Sequence, residues 1–123
     1  MKIKIACQGL ELKAELYQKP TAQKISEALP LQGRVSRWGD EIYFEIPVKA
    51  ELEVDARAEV EVGELGYWPE GRAFCIFFGR TPASADAKPK AYSAVNIIGK
   101  LLKLPREALK AVKPGTTITI EQA

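Results

Sequence analysis

Histidine is absent from this chain. Its absence removes Ser-His and Cys-His nucleophile pairs, and all imidazole acid–base catalysis with them. It also removes most zinc and transition-metal sites, because the two cysteines, Cys7 and Cys75, make a poor ligand set alone. They stand too far apart for a CxxC redox or zinc motif. Each lies in an apolar, strand-like run and reads as a small buried hydrophobe; a disulfide would require neighbouring strands and an oxidising compartment. No GxGxxG, GxxxxGK(S/T) or GxSxG occurs, so dinucleotide, P-loop and α/β-hydrolase readings lose their usual support. No apolar run approaches the length of a membrane span, and the start MKIKIACQG has lysines but no apolar signal-peptide core. Charge of one sign is scarce as well. The 18 basic and 16 acidic residues leave a net +2, too balanced to argue for nucleic acid or an anionic membrane. These absences point to a cytoplasmic protein without a cofactor, a metal, a nucleic acid or a membrane as partner.

What is present is strand patterning. Ile3 and Ile5 alternate with Lys2 and Lys4, and Leu10, Leu12, Ala14 and Leu16 alternate with Glu11, Lys13, Glu15 and Tyr17. The same period of two recurs at Ile42, Phe44 and Ile46, at Ala58, Val60 and Val62, and at Ile118 and Ile120. One apolar and one polar face per strand means half-buried antiparallel sheet. Trp38-Gly39-Asp40-Glu41 reads as a tight hairpin turn. Two helices interrupt the strands. Thr21 is placed to cap one that runs to Leu29, with Ala22, Ile25, Ala28 and Leu29 on one face and Pro30 as its stop. Pro105 starts the other, with Leu104, Ala108, Leu109 and Val112 as its stripe and Pro114-Gly115 after it. A chain of 123 residues is the length of one domain, residues 1–123. About eight short strands and two helices suggest a closed antiparallel barrel plugged at its ends. Thr81 to Ala91, with Pro82 and Pro89, is the longest expected loop, and the acidic run Glu51, Glu53, Asp55, Glu59, Glu61 and Glu64 reads as a solvated strand face.

The densest signal lies between Gly63 and Pro82, GELGYWPEGRAFCIFFGRTP. Ala73 to Phe78 is too short for a helix and too aromatic for a loop, so it reads as a buried strand, with Phe74, Ile76 and Phe78 on one face and Cys75 and Phe77 on the other. One set fills a barrel; the other must be covered by a helix or a ligand. Tyr67 and Trp68 precede Pro69 and read as an exposed turn, whose amphipathic rings either line a groove or fold back over the core.

The last third, VNIIGKLLKLPREALKAVKPGTTITIE from Val95 to Glu121, is similar to the closing segment of cyclophilins. GDEIYFEIP (Gly39 to Pro47) and GYWPEGRAFCIFFGRTP (Gly66 to Pro82) resemble more closely the small bacterial and archaeal cyclophilin-like proteins of unassigned function. With the helix at Thr21 to Leu29, the resemblance covers nearly the whole chain. It implies a compact β-barrel with two helices, smaller than a true cyclophilin. The phenylalanine-histidine-arginine segment that supplies the catalytic arginine of true cyclophilins does not occur here, nor does their asparagine- and glycine-rich loop before a Gln-Phe-Phe strand. No catalytic residue carries over by position.

An isomerase must lower a barrier of about 18–20 kcal/mol, which takes an apolar slot for the proline ring and a donor for the twisted amide. Arg34, Arg37, Arg72 and Arg80 are the donors near aromatic strands. Alternation puts Arg34 on the face of Ser36 and Trp38, so Arg34 and Trp38 form a candidate cleft pair; the alternative is a solvated arginine leaning on an aromatic ring. Arg80, at the end of the aromatic strand, is the best single donor, with a plain loop charge as its alternative. Tyr43 is a surface aromatic or part of an acidic rim. The expected site is therefore Arg34, Trp38, Tyr67, Trp68, Phe78 and Arg80. Its expected use is binding of a peptide or small molecule, with an atypical peptidyl-prolyl isomerase as the alternative and a base-stacking module as a third reading that the balanced charge disfavours. An exposed edge strand would allow a homodimer as well as a monomer.

Overall fold

The alternating runs become strands because each has one face to bury. β1 (Lys2–Cys7) and β2 (Leu10–Leu16) pair antiparallel, with Ile3 opposite Ala14 and Ile5 opposite Leu12. Their connection is two residues long, Gln8 and Gly9, both at positive φ (51° and 76°), the twist that joins strands tightly. The structure, a computed structural model, describes residues 1–123. After β2 come α1 (Pro20–Ala28), β3 (Leu31–Arg34), β4 (Ser36–Arg37), β5 (Glu41–Glu45), β6 (Arg57–Glu59), β7 (Glu64–Trp68), β8 (Ala73–Phe77), β9 (Lys90–Leu101), α2 (Arg106–Lys110) and β10 (Thr117–Gln122). The fold is mainly β, with antiparallel pairing throughout.

The strand order is β3-β10-β1-β2-β9-β7-β8-β5-β4, with β6 added to the side of β9. The expected closed barrel needs correcting here. β3 and β4 are the two ends of that order and do not pair with each other, so hydrogen bonds do not close the sheet. The chain crosses from one edge to the other through Val35, whose N–H donates instead to Thr116 O at 2.9 Å. The strands number ten rather than about eight.

Side chains inside the curved sheet form one core of 25 buried residues, with Ile3, Ile5, Phe44, Tyr67, Phe74 and Phe78 among them. A smaller cluster of seven lies on the opposite face of β8, where Ala73, Cys75 and Phe77 meet Val60, Ala91, Val95 and Ile97. β8 is thus buried on both faces, and what covers its second face is neither a helix nor a ligand but Ala91, Val95 and Ile97 of β9, together with Val60 beyond β6. Both cysteines are free and buried.

Three local readings change. Thr21 is not the N-cap: Lys19 holds that position, Pro20 takes the first turn, and Glu53 Oε2 accepts the Thr21 N–H at 3.0 Å. The acidic run is a strand face only in part: Glu59 is on β6 and Glu64 on β7, while Glu51, Glu53 and Asp55 lie in an irregular segment before β6. Glu51, Asp55, Glu59 and Glu61 are exposed as expected, and Glu64 forms a two-pronged pair with Arg57 (3.0 Å on each prong). In α2 only Leu109 is buried, with Val112 just beyond it, while Leu104 and Ala108 are exposed.

Asn96, fully buried on β9, holds the irregular segment in place. Its Oδ1 accepts from Glu53 N (2.8 Å), and its Nδ2 donates to Thr21 Oγ1 and Glu51 O (2.9 Å each). Asn96→Ala strands three buried or half-buried partners and is expected to lower stability by roughly 2–4 kcal/mol. Urea titration measures this, and limited proteolysis should show new cleavage between residues 49 and 56. An unchanged midpoint would mean the segment is held by other contacts.

Candidate functional site

The hairpin of β4 and β5 turns at Gly39 (φ 60°) and Asp40, with Trp38 and Glu41 exchanging backbone hydrogen bonds at 3.0 and 3.2 Å. Alternation along β5 then sends Ile42 and Phe44 into the core and Glu41 and Tyr43 to the other face. Trp68, at the end of β7, emerges on that same side, and β9 runs past with Ala91, Tyr92 and Val95. Together these residues line a cavity of about 110 Å³ that opens to solvent beside the exposed Tyr92.

The aromatic walls are mutually braced. Tyr92 meets Trp38 and Trp68 edge-on, with 6.0 Å between ring centroids in each pair and interplanar angles of 69° and 73°. Trp68 is fixed in turn: its Nε1 donates to Ser93 Oγ at 2.7 Å, and that hydroxyl donates to Glu70 Oε1 at 3.1 Å. Gly71 must lack a side chain here, since a Cβ would sit 2.5 Å from the Trp68 ring.

Glu41 is the polar group of the pocket, and it is buried, with 7% of its surface exposed. The chain's ion pairs join other residues, and no lysine or arginine pairs with it. Burial pushes its pKa up to about 7, and the neighbouring Cys75 thiol, which donates to Ala73 O at 3.7 Å, pulls slightly the other way. Cys75 is itself held well above its ordinary value by burial and by the Glu41 charge, so it stays a thiol and not a nucleophile. No group of three or more Cys, Asp or Glu side chains converges as a metal site.

Of the six residues singled out in the sequence, the structure brings Trp38 and Trp68 together in this pocket. The other four lie elsewhere. Tyr67 is not in an exposed turn: it is on β7, wholly in the main core, with its hydroxyl donating to Val48 O at 2.6 Å. Phe78 is also core, with the Arg37 guanidinium 5.4 Å over its ring. Arg34 is exposed on β3 and donates to Gly115 O at 3.1 Å. Arg80 is exposed beyond β8, and its carbonyl receives the Asp40 N–H. Arg37 is occupied as well: its Nη1 donates to Val112 O (2.8 Å) and Lys110 O (3.1 Å), which anchors the end of α2.

Sequence reasoning missed Glu41 and Tyr92 and left Tyr43 open. A signal for β9 was present, since Ala91, Val95 and Ile97 hold a period of two; nothing local said that Tyr92 would reach two tryptophans.

Comparison with known proteins agrees with this architecture. A family model described as Cyclophilin-like matches residues 1–121. The chain belongs to this family. Among solved structures, the solution structure of a hypothetical protein from Archaeoglobus fulgidus is similar over 100% of this chain and 95% of that one, at 40% identity and a TM-score of 0.84. No curated protein matches. No helix is long and apolar enough to cross a membrane.

Proposed function

We propose that this cyclophilin-like protein is a binding module whose aromatic pocket takes a small molecule or one group of a peptide. The observation that carries this reading is the pocket itself: rigid rings at Trp38, Trp68 and Tyr92 stand over a recessed carboxylate at Glu41. Rigid, amphipathic rings around one convergent polar group are the usual make-up of a ligand site. A second reading, isomerisation of prolyl bonds, has less support. The pocket offers a carboxyl group where a guanidinium donor is needed, and Arg34, Arg37, Arg72 and Arg80 do not line it. The charge of the pocket also disfavours nucleic acid.

A prolyl-isomerase assay on a proline-containing tetrapeptide, run beside Arg34→Ala and Arg80→Ala, tests the choice. The expected result is no rate above the uncatalysed reaction in any of the three proteins. Activity that disappears in one variant would make the protein a divergent isomerase and name its donor.

A further inference from the structure

We infer that the pocket selects an alkylated ammonium group, held by the rings of Trp38, Trp68 and Tyr92 against the carboxylate of Glu41. This rests on the binding reading above and names its ligand class.

The geometry supplies two parts of a cation site. Trp38 and Trp68 each stand at about 70° to Tyr92, and all three rings line the pocket; aromatic walls attract organic cations through the negative faces of their π systems. Glu41 adds to the same lining a buried side chain with no cation of its own. On the adjoining strand β4, Arg37 is already committed elsewhere: it donates to the end of α2 and to Gly39 O, and it pairs with Asp40 at 3.8 Å. The negative charge of Glu41 is thus left for a partner from outside.

Donor count narrows the cation. The pocket, about 110 Å³ and open to solvent, takes one end of a ligand rather than the whole of it. A guanidinium needs several acceptors in a plane, and a primary ammonium needs three. Here one carboxylate faces a lining that is otherwise hydrophobic or aromatic. A methylated ammonium matches this lining, because its charge is carried under a methyl surface and needs few or no hydrogen bonds. The same group occurs on free small molecules and on methylated lysine side chains, and the opening beside Tyr92 gives access to either.

Choline, its uncharged carbon analogue 3,3-dimethylbutan-1-ol and a short peptide carrying trimethyl-lysine are the probes. Calorimetry and tryptophan fluorescence at constant ionic strength are the readouts. Choline or the peptide should bind at least tenfold more tightly than the neutral alcohol, and Glu41→Gln should erase that preference while the far-UV spectrum is unchanged. Tighter binding of choline assigns the ligand to a free small molecule; tighter binding of the peptide assigns it to a modified side chain. Cation affinity should also rise roughly tenfold from pH 6 to pH 8, as a carboxyl with a pKa of about 7 ionises. The other titratable groups around that carboxyl are the Cys75 thiol of β8, held well above neutrality, and the hydroxyls of Tyr43 and Tyr92. Equal binding of alcohol and cations overturns the cation inference and leaves the binding reading standing. No binding of any of the three overturns both.

Discussion

Gly99→Ala is expected to prevent the chain from holding its native sheet. The added methyl would collide with the carbonyl oxygen of Glu15, and it would lie 3.0 Å from that carbonyl carbon and 3.2 Å from Leu16 Cα. These are backbone atoms of the paired strand, so no rotamer change relieves the clash. The position is also the seam of the fold. β3, β10, β1 and β2 form one half of the sheet, and β7, β8, β5 and β4 the other; β9 joins them. Its pairing with β2 spans three residues, Ala14 opposite Leu101, Glu15 opposite Lys100 and Leu16 opposite Gly99. Spreading the strands at Gly99 therefore opens the core between Leu16 and Ile98. The expected loss is on the order of 4 kcal/mol or more, in the range reserved for overpacking and broken networks. Gly115→Ala is the control. Gly115 has φ 88°, but open space surrounds its missing Cβ, so the penalty there is the conformational one of about 1 kcal/mol. Denaturant midpoints with far-UV spectra separate the two. A Gly99→Ala protein within 1 kcal/mol of the parent would show that the seam yields more than its geometry allows.

Much of this architecture can be read from the sequence, because a half-buried strand must alternate. β1, β2, β5 and β10 follow from that rule, and the Gly39-Asp40 turn follows from its chemistry. What could not be read locally is which polar face receives a second layer. Glu41, Tyr43 and Glu45 look alike as the wet side of β5, yet β9 crosses near Glu41 and buries it while Glu45 stays exposed. The pairing of Arg34 with Trp38 failed for a related reason. Alternation holds only along one strand, and at Val35 the chain leaves one edge of the sheet for the other. Tyr67 was drawn into a turn by Pro69 and Gly71, whose 3₁₀ turn begins just after β7 ends. The acidic run misled because its composition suits a solvated strand, whereas Glu53 is used to cap α1.

The buried Glu41 gives the second large effect, and its sign follows from linkage. In the unfolded chain the carboxyl titrates at 4.5, and in the folded one at about 7. The folded state therefore favours the protonated form. Its contribution is fully present below pH 4.5 and is lost as the pH rises through about 7. A displacement of this size corresponds to about 3 kcal/mol, at 1.36 kcal/mol per unit. Glu41→Gln keeps the shape and the neutral state at every pH. It should match the parent near pH 4.5 and exceed it by about 3 kcal/mol at pH 8.5, or a rise in Tm of about 10 °C for a chain of this length. The residue that weakens the apo protein near neutral pH is the one that faces the pocket. A side chain whose replacement stabilises the fold, and which sits where a ligand would be recognised, fits a site that trades stability for binding. Thermal unfolding of both proteins from pH 4.5 to 8.5 decides it. Parallel curves across that range would mean the carboxyl ionises without strain, through solvent reaching the pocket floor, and the stability argument for an unpaired charge at that site would fall.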